Sequence, residues 1–123
     1  MKLFIMLGAI NAFLAVALGA FGAHGLEGKV EPKYLEIWQT AVQYQMFHAI
    51  GLIIVGFLMG QFPDSSALNW SGWLMLAGII LFSGSLFVLA VTAISKLGAI
   101  TPLGGVAFLI AWVLIIVAAV KNM

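Results

Sequence analysis

Four uncharged apolar stretches make up most of this 123-residue chain. They extend over about residues 3–23, 41–60, 72–93 and 102–120, and none of them contains Asp, Glu, Lys or Arg. An α-helix rises about 1.5 Å per residue, so roughly 20 apolar residues cross a hydrocarbon core of ~30 Å. The sequence therefore predicts one integral membrane domain over residues 1–123, an all-α bundle of four antiparallel transmembrane helices.

Composition limits the function as well as the location. Hydrophobic residues make up 64% of the chain and charged residues 7%, whereas soluble domains have roughly 25% charged residues. The chain has five lysines, four acidic residues and no arginine, so it lacks the basic cluster of a nucleic-acid-binding surface. The absence of cysteine excludes disulfides, thiolate metal sites and cysteine nucleophiles.

The first apolar stretch is predicted to be a membrane helix, and the connection after it is predicted to begin helix 2. The run over residues 3–23 is longer than the apolar region of about 7–15 residues in a signal peptide, so a retained first helix is predicted. The connection over residues 24–40 holds five charges and Pro32, which suits the first turn of a helix. Helix 2 is therefore expected to start in the headgroup zone, at about residues 32–40.

Aromatic residues mark the expected membrane surfaces, whereas lysines do not indicate the orientation of the chain. Tyr34 and Trp38 would mark one interface, and Trp70 and Trp73 the other. Lysines are nearly balanced between the two sides, so they predict no orientation and are compatible with dual insertion. One side carries Lys2 and Lys121, and the other carries Lys29, Lys33 and Lys96.

Small residues on two helices predict close packing between backbones. Helix 2 ends in Gly56-Phe-Leu-Met-Gly60, a GxxxG motif, and such motifs let helices approach closely in lipid. These faces could pack within the bundle or join identical chains in a homo-oligomer. Membrane lipids are also expected partners. The small residues of helix 1 are Gly8, Ala12, Ala15, Gly19, Gly22 and Ala23.

The most polar membrane segment lies at the start of helix 2. Every fourth residue from Glu36 to His48 is polar, and this spacing places side chains on one face of a helix. An unpaired polar group in lipid costs several kcal/mol, so this face is expected to look into the bundle. The candidate ligand-binding residues, predicted to form a polar seam, are His24, Thr40, Gln43, Tyr44 and His48.

Four interpretations of this seam stay open. It could fix helix register through hydrogen bonds, bind a ligand or lipid headgroup, relay protons through a histidine, or ligate a haem or metal. Metal ligation is disfavoured because His24 is interfacial while His48 lies about two turns deeper, so neither a cofactor nor a metal is predicted. Since helices 1 and 2 are antiparallel neighbours, His24, Gln43, Tyr44 and His48 are expected to lie close together at one end.

Signatures of catalysis are missing. The chain has no carboxylate in its apolar stretches, no GxSxG elbow and no HExxH helix. No catalytic residue is predicted, and the protein is not expected to be an enzyme. The leading interpretation is a structural or interaction protein of the membrane. The alternative is a small oligomeric transporter or channel that uses a polar seam around His48.

Four ordered motifs resemble a known family of small membrane proteins. They are Gly19-Ala-Phe-Gly-Ala-His-Gly-Leu26, Tyr44-Gln-Met-Phe-His-Ala49, Phe82-Ser-Gly-Ser-Leu86 and Gly98-Ala-Ile-Thr-Pro-Leu-Gly-Gly105. The chain is similar over its whole length to domain of unknown function 423, also called uncharacterised protein family 0382, and most similar to Gram-positive members. Phe87 and Leu103 stand where tyrosine and isoleucine are usual. The resemblance implies a multi-pass protein of the bacterial cell membrane, and it places His24 and His48 in recurring motifs without implying an activity.

Overall fold

Four long apolar helices in up-down order form the protein. The structure, a computed structural model, describes residues 2–123. The helices are α1 (Lys2–Leu26), α2 (Pro32–Gln61), α3 (Ser66–Thr92) and α4 (Thr101–Asn122). A short 3₁₀ turn, Ser95–Ala99, precedes α4, and the described residues contain no strand. All four are long and apolar enough to cross a membrane, which confirms the predicted fold class.

The helices do not pack equally against one another. α1 packs mainly on α2, whereas α3 packs about equally on α2 and on α4. The backbones of α2 and α4 hardly approach each other. Because the order is up-down, α2 and α4 run in the same direction, and both begin at the end that holds the first and third connections. This arrangement leaves a space between α2 and α4 with α3 behind it.

Pro32 defines the start of α2. Pro32 is the first residue of α2, where its missing N–H costs no hydrogen bond, and the helix continues unbroken to Gln61. Each helix is longer than the predicted apolar stretch, most of all at the starts of α2 and α3. Which residues of each helix lie in the hydrocarbon stays a prediction.

Two apolar clusters hold the helices together. The smaller one lies beside the first connection and contains the buried residues Leu26, Trp38 and Ala90. Trp38 was expected at an interface, but it is only 6% exposed. Its indole N–H donates to the carbonyl of Leu18 at 2.8 Å, which satisfies the ring inside the bundle. The larger cluster joins all four helices and contains Phe4, Leu52, Val55, Leu68, Met75, Ile79, Phe108, Ala111 and Ala118.

Glycines on α1 are used inside the bundle. A Cβ at Gly8 would lie 2.7 Å from the backbone carbonyl oxygen of Ala49, and one at Gly22 would lie 2.5 Å from the Trp38 ring. Only glycine permits these approaches between α1 and α2. In the GxxxG motif of α2, Gly56 is buried and Gly60 is exposed. Packing within the chain therefore accounts for the α1 face.

The end of α3 offers a test of backbone strain. Ala93 closes this helix with φ 57°, in the left-handed region that favours glycine. Ala93→Gly is expected to stabilise the protein by about 0.5–1 kcal/mol, because it removes the steric cost of Cβ there. Denaturant unfolding in detergent micelles would measure the change. Ala17→Gly, at an exposed position inside α1, is the control and should lose about 1 kcal/mol; a loss at both positions would contradict the argument.

Candidate functional site

The polar stripe at the start of α2 does not face the bundle as a unit. Among Glu36, Thr40, Tyr44 and His48, only His48 is buried, at 3% exposure. Tyr44 is 41% exposed, and Glu36 is also exposed. The expectation that this whole face looks inward is therefore wrong. The reason at Tyr44 is that α4 stands apart from α2, so the space between these helices opens to the outside.

The imidazole of His48 makes two hydrogen bonds. Its Nδ1 lies 2.8 Å from the carbonyl oxygen of Tyr44, one turn earlier in α2. The indole N–H of Trp112 on α4 donates to Nε2 at 3.0 Å. An indole nitrogen can only donate and a carbonyl can only accept. These partners therefore assign a neutral imidazole with its proton on Nδ1.

Aromatic packing holds the same ring from the side. The His48 imidazole stacks on the Phe108 ring of α4, with centroids 3.5 Å apart and planes 8° from parallel. Phe47 approaches it edge-on, with centroids 5.3 Å apart. The Trp112 ring reaches α2 one turn further on, where a Cβ at Gly51 would lie 3.4 Å from it. His48 is thus the main side-chain link between α2 and α4.

A groove of about 700 Å³ lies between α2 and α4. Its size is within the range of about 300–1,000 Å³ typical of small-molecule sites. Apolar and aromatic side chains form most of the walls, and none of the lining residues is charged. The lining residues are Gln43, Tyr44, Phe47, His48, Phe82, Pro102, Gly105, Val106, Phe108, Leu109 and Trp112.

The back of the groove is set by contact between α3 and α4. A Cβ at Gly104 would meet the backbone nitrogen of Phe82 and would lie 2.8 Å from its Cα, so α4 touches the α3 backbone at this glycine. Phe82 belongs to a π-helical turn, Ile79–Ser83, of the kind often found at functional sites. Its ring packs on Tyr44 with centroids 4.6 Å apart. The close contact behind Gly104 therefore places an aromatic ring at the floor.

The predicted site residues are partly brought together. Gln43, Tyr44 and His48 line the groove, whereas His24 and Thr40 do not. His24 is exposed in the last turn of α1, and the Thr40 hydroxyl donates to the carbonyl of Glu36 at 3.1 Å. Within residues 2–123, no three His, Cys, Asp or Glu side chains could hold a metal ion together. That the five residues form a ligand site stays a prediction.

Gln45 is a buried polar residue that was not among the predicted site residues. The Gln45 amide N–H donates to Asn11 Oδ1 at 3.1 Å, which links α2 to α1, while Gln45 Oε1 has no hydrogen-bond partner. Gln45 follows the buried Ala41 by four residues and precedes His48 by three. Gln45 has helical spacing relative to the apolar residues Ala41 and Leu52, and this spacing could have predicted its burial.

Serine hydroxyls complete the interhelical hydrogen bonds. Ser71 donates to the carbonyl of Ala111 at 2.7 Å, and Ser83 donates to that of Ala41 at 2.8 Å. The hydroxyl oxygens of Ser85 and Thr101 lie 2.7 Å apart. Each of these bonds joins two different helices, as polar side chains commonly do in membrane bundles. These hydroxyls are therefore satisfied within the bundle, whereas Gln45 Oε1 is not.

The chain is similar to one family model and to several curated membrane proteins. The model of a family described as "Protein of unknown function (DUF423)" matches residues 18–105. The UPF0382 membrane protein YwdK of Bacillus subtilis (strain 168) is 65% identical over 98% of both chains. The UPF0382 membrane proteins SERP0230 of Staphylococcus epidermidis and SAB0533 of Staphylococcus aureus (strain bovine RF122) are each 54% identical, also over 98% of both chains. No solved structure matches the chain.

Proposed function

Because the chain belongs to the DUF423 family, the UPF0382 membrane proteins, and is a multi-pass protein of the bacterial cell membrane, we propose that it acts there as an interaction protein. In this proposal the bundle binds a hydrophobic partner without catalysing a reaction or moving a solute. The binding surface is the groove between α2 and α4. Gln43 and Tyr44 at its mouth, with His48 at its inner wall, are the residues that would contact the partner.

The hydrogen bonding of His48 is the observation that carries this proposal. A proton relay needs an imidazole nitrogen that is open to a donor or acceptor along a path. Both nitrogens of His48 are engaged, one by Tyr44 and the other by Trp112. Protonation of Nε2 would set two donors against each other and break the link to α4. The ring is thus placed to hold two helices in register.

The surroundings of the groove support binding rather than passage. Its walls are apolar and aromatic with a few polar groups, which is the usual composition of a site that binds a hydrophobic molecule. It opens on the outer surface between α2 and α4, where the neighbouring exposed side chains are apolar, among them Phe47, Val106 and Leu109. The alternative of a transporter or channel is not favoured.

Reconstitution into liposomes tests the absence of transport. Vesicles containing the wild-type protein are expected to pass protons, K⁺ and tetramethylammonium no faster than protein-free vesicles, because both nitrogens of His48 are engaged and no charged residue lines the groove. A pH-sensitive dye and ion-selective electrodes would measure the fluxes. His48→Ala serves as the control variant and should also show none. Any flux that depends on the folded wild-type protein would contradict the proposal.

Association of identical chains through small-residue faces is a separate part of the proposal. The face of α1 that carries Gly8 and Gly22 already packs on α2, so it is not available to a second copy. The exposed Gly60 at the end of α2 is the remaining glycine of the GxxxG motif. A homo-oligomer would therefore meet near this end of α2, opposite the end at which the groove begins.

A further inference from the structure

We propose that the groove between α2 and α4 holds one acyl chain of a phospholipid from the leaflet at the end of the first and third connections. This inference rests on the proposed function and specifies the hydrophobic partner. The bound lipid would be retained at this position, in contrast to the exchanging lipids that surround any membrane protein. Three features of the groove support this occupant: its depth, its closed inner end and the placement of its polar groups.

The depth of the groove matches a single leaflet. Its α4 wall extends from Pro102 to Trp112, and at about 1.5 Å per residue this segment rises about 15 Å. The hydrocarbon core is ~30 Å thick, so each leaflet contributes roughly 15 Å. The α2 wall begins with Gln43 at the same end, because α2 and α4 run in the same direction. A chain that enters at this end would extend to about the middle of the membrane.

Trp112 closes the inner end of the groove. Its indole extends from α4 to α2, where it donates to His48 Nε2 and covers the surface at Gly51. A transmembrane helix from a partner or from a second copy would continue past this point into the other leaflet. The groove offers such a helix a seat over only half of the span. An acyl chain needs no more than this half.

The polar groups lie where a lipid needs them. The exposed amide of Gln43 lies at the end where the groove begins, one residue before Tyr44. Both side chains can donate hydrogen bonds to the ester or phosphate oxygens of a lipid. Deeper in the groove, His48 has both nitrogens engaged and the other walls are apolar. A polar solute would have no hydrogen-bond partner in this deeper part, whereas an acyl chain requires none.

Native mass spectrometry with two matched pairs of variants tests this site. The protein would be reconstituted into vesicles of dioleoyl phosphatidylethanolamine and dioleoyl phosphatidylglycerol and then extracted in mild detergent. Val106→Trp fills the groove, while Val113→Trp lies two turns further along α4 outside it; these valines are 53% and 54% exposed. Leu109→Trp and Leu103→Trp form the second pair, of which only Leu109 lines the groove.

The wild type, Val113→Trp and Leu103→Trp are expected to retain one phospholipid per chain. Val106→Trp and Leu109→Trp are expected to retain at least tenfold less while keeping a melting temperature close to that of their controls. Equal retention within both pairs, or no retained lipid on the wild type, would overturn the inference. If one groove variant fails to fold, the other pair decides. Loss of the lipid site alone leaves the absence of flux intact, whereas protein-dependent flux refutes the proposed function whatever the lipid result.

Discussion

Gly104→Ala is expected to destabilise the bundle by about 1–3 kcal/mol, the usual cost of forcing an extra methyl group into a packed interface. The new Cβ would meet the backbone nitrogen of Phe82 and would lie 2.7 Å from its Cβ. Backbone atoms cannot rotate away as a flexible side chain can, so α4 must move off α3. Unfolding of the detergent-solubilised protein by heat or denaturant would measure the loss.

Gly105→Ala is the matched control for this substitution. Its Cβ would lie 3.9 Å from the Phe82 ring, an ordinary contact. Both alanines gain helix propensity of about 1 kcal/mol over glycine, so the difference between the two variants isolates the clash. Similar stabilities for the two would show that α4 does not touch α3 as closely as described. A selective loss for Gly104→Ala is the result that the contact requires.

His48→Ala is expected to cost about 2–4 kcal/mol, from the lost ring packing together with an unsatisfied indole N–H. The substitution removes the acceptor of the Trp112 N–H and the stack on Phe108, and so it separates α2 from α4. His24→Ala is the control, because His24 is exposed and surface substitutions usually change stability by less than about 0.5 kcal/mol. Thermal unfolding in micelles would compare the two.

A double-mutant cycle identifies the cause of the loss. Trp112→Phe removes the indole N–H, so His48→Ala should cost less in that background than in the wild type. Interhelical hydrogen bonds in membranes are worth roughly 0.6 kcal/mol on average, which sets the scale of the coupling. Additive effects would mean that the imidazole acts by packing alone. A neutral His48→Ala would remove His48 from the account of how α2 and α4 are joined.

The number and order of the helices could be predicted from the sequence because hydrocarbon imposes a strong length requirement. Uncharged stretches of about 20 residues have few ways to satisfy their backbone in lipid other than a helix. The helix start at Pro32 follows from similarly local chemistry. These features depend on the chain and its solvent, and not on which helices meet.

The candidate site depended on contacts that periodicity does not specify. A repeat of four places Tyr44 and His48 on one side of α2, but it cannot tell that α4 stands off and leaves Tyr44 exposed. Gln45 was missed because its partner, Asn11, lies on another helix. Trp38 was assigned to the interface because tryptophan favours that position in general, and its burial against Gly22 depends on how α1 lies on α2. Each difference arises from packing between helices.

The pairing of the helices has a consequence for how the chain enters the bilayer. α1 packs mainly on α2, and α3 packs about equally on α2 and α4, so each helix packs on the one synthesised just before it. The bundle can therefore form in the order in which its helices are synthesised, and only the short turn between Gln61 and Ser66 separates α2 from α3. Each newly inserted helix finds its neighbour without waiting for a distant segment. Such local pairing keeps contact order low and favours rapid assembly.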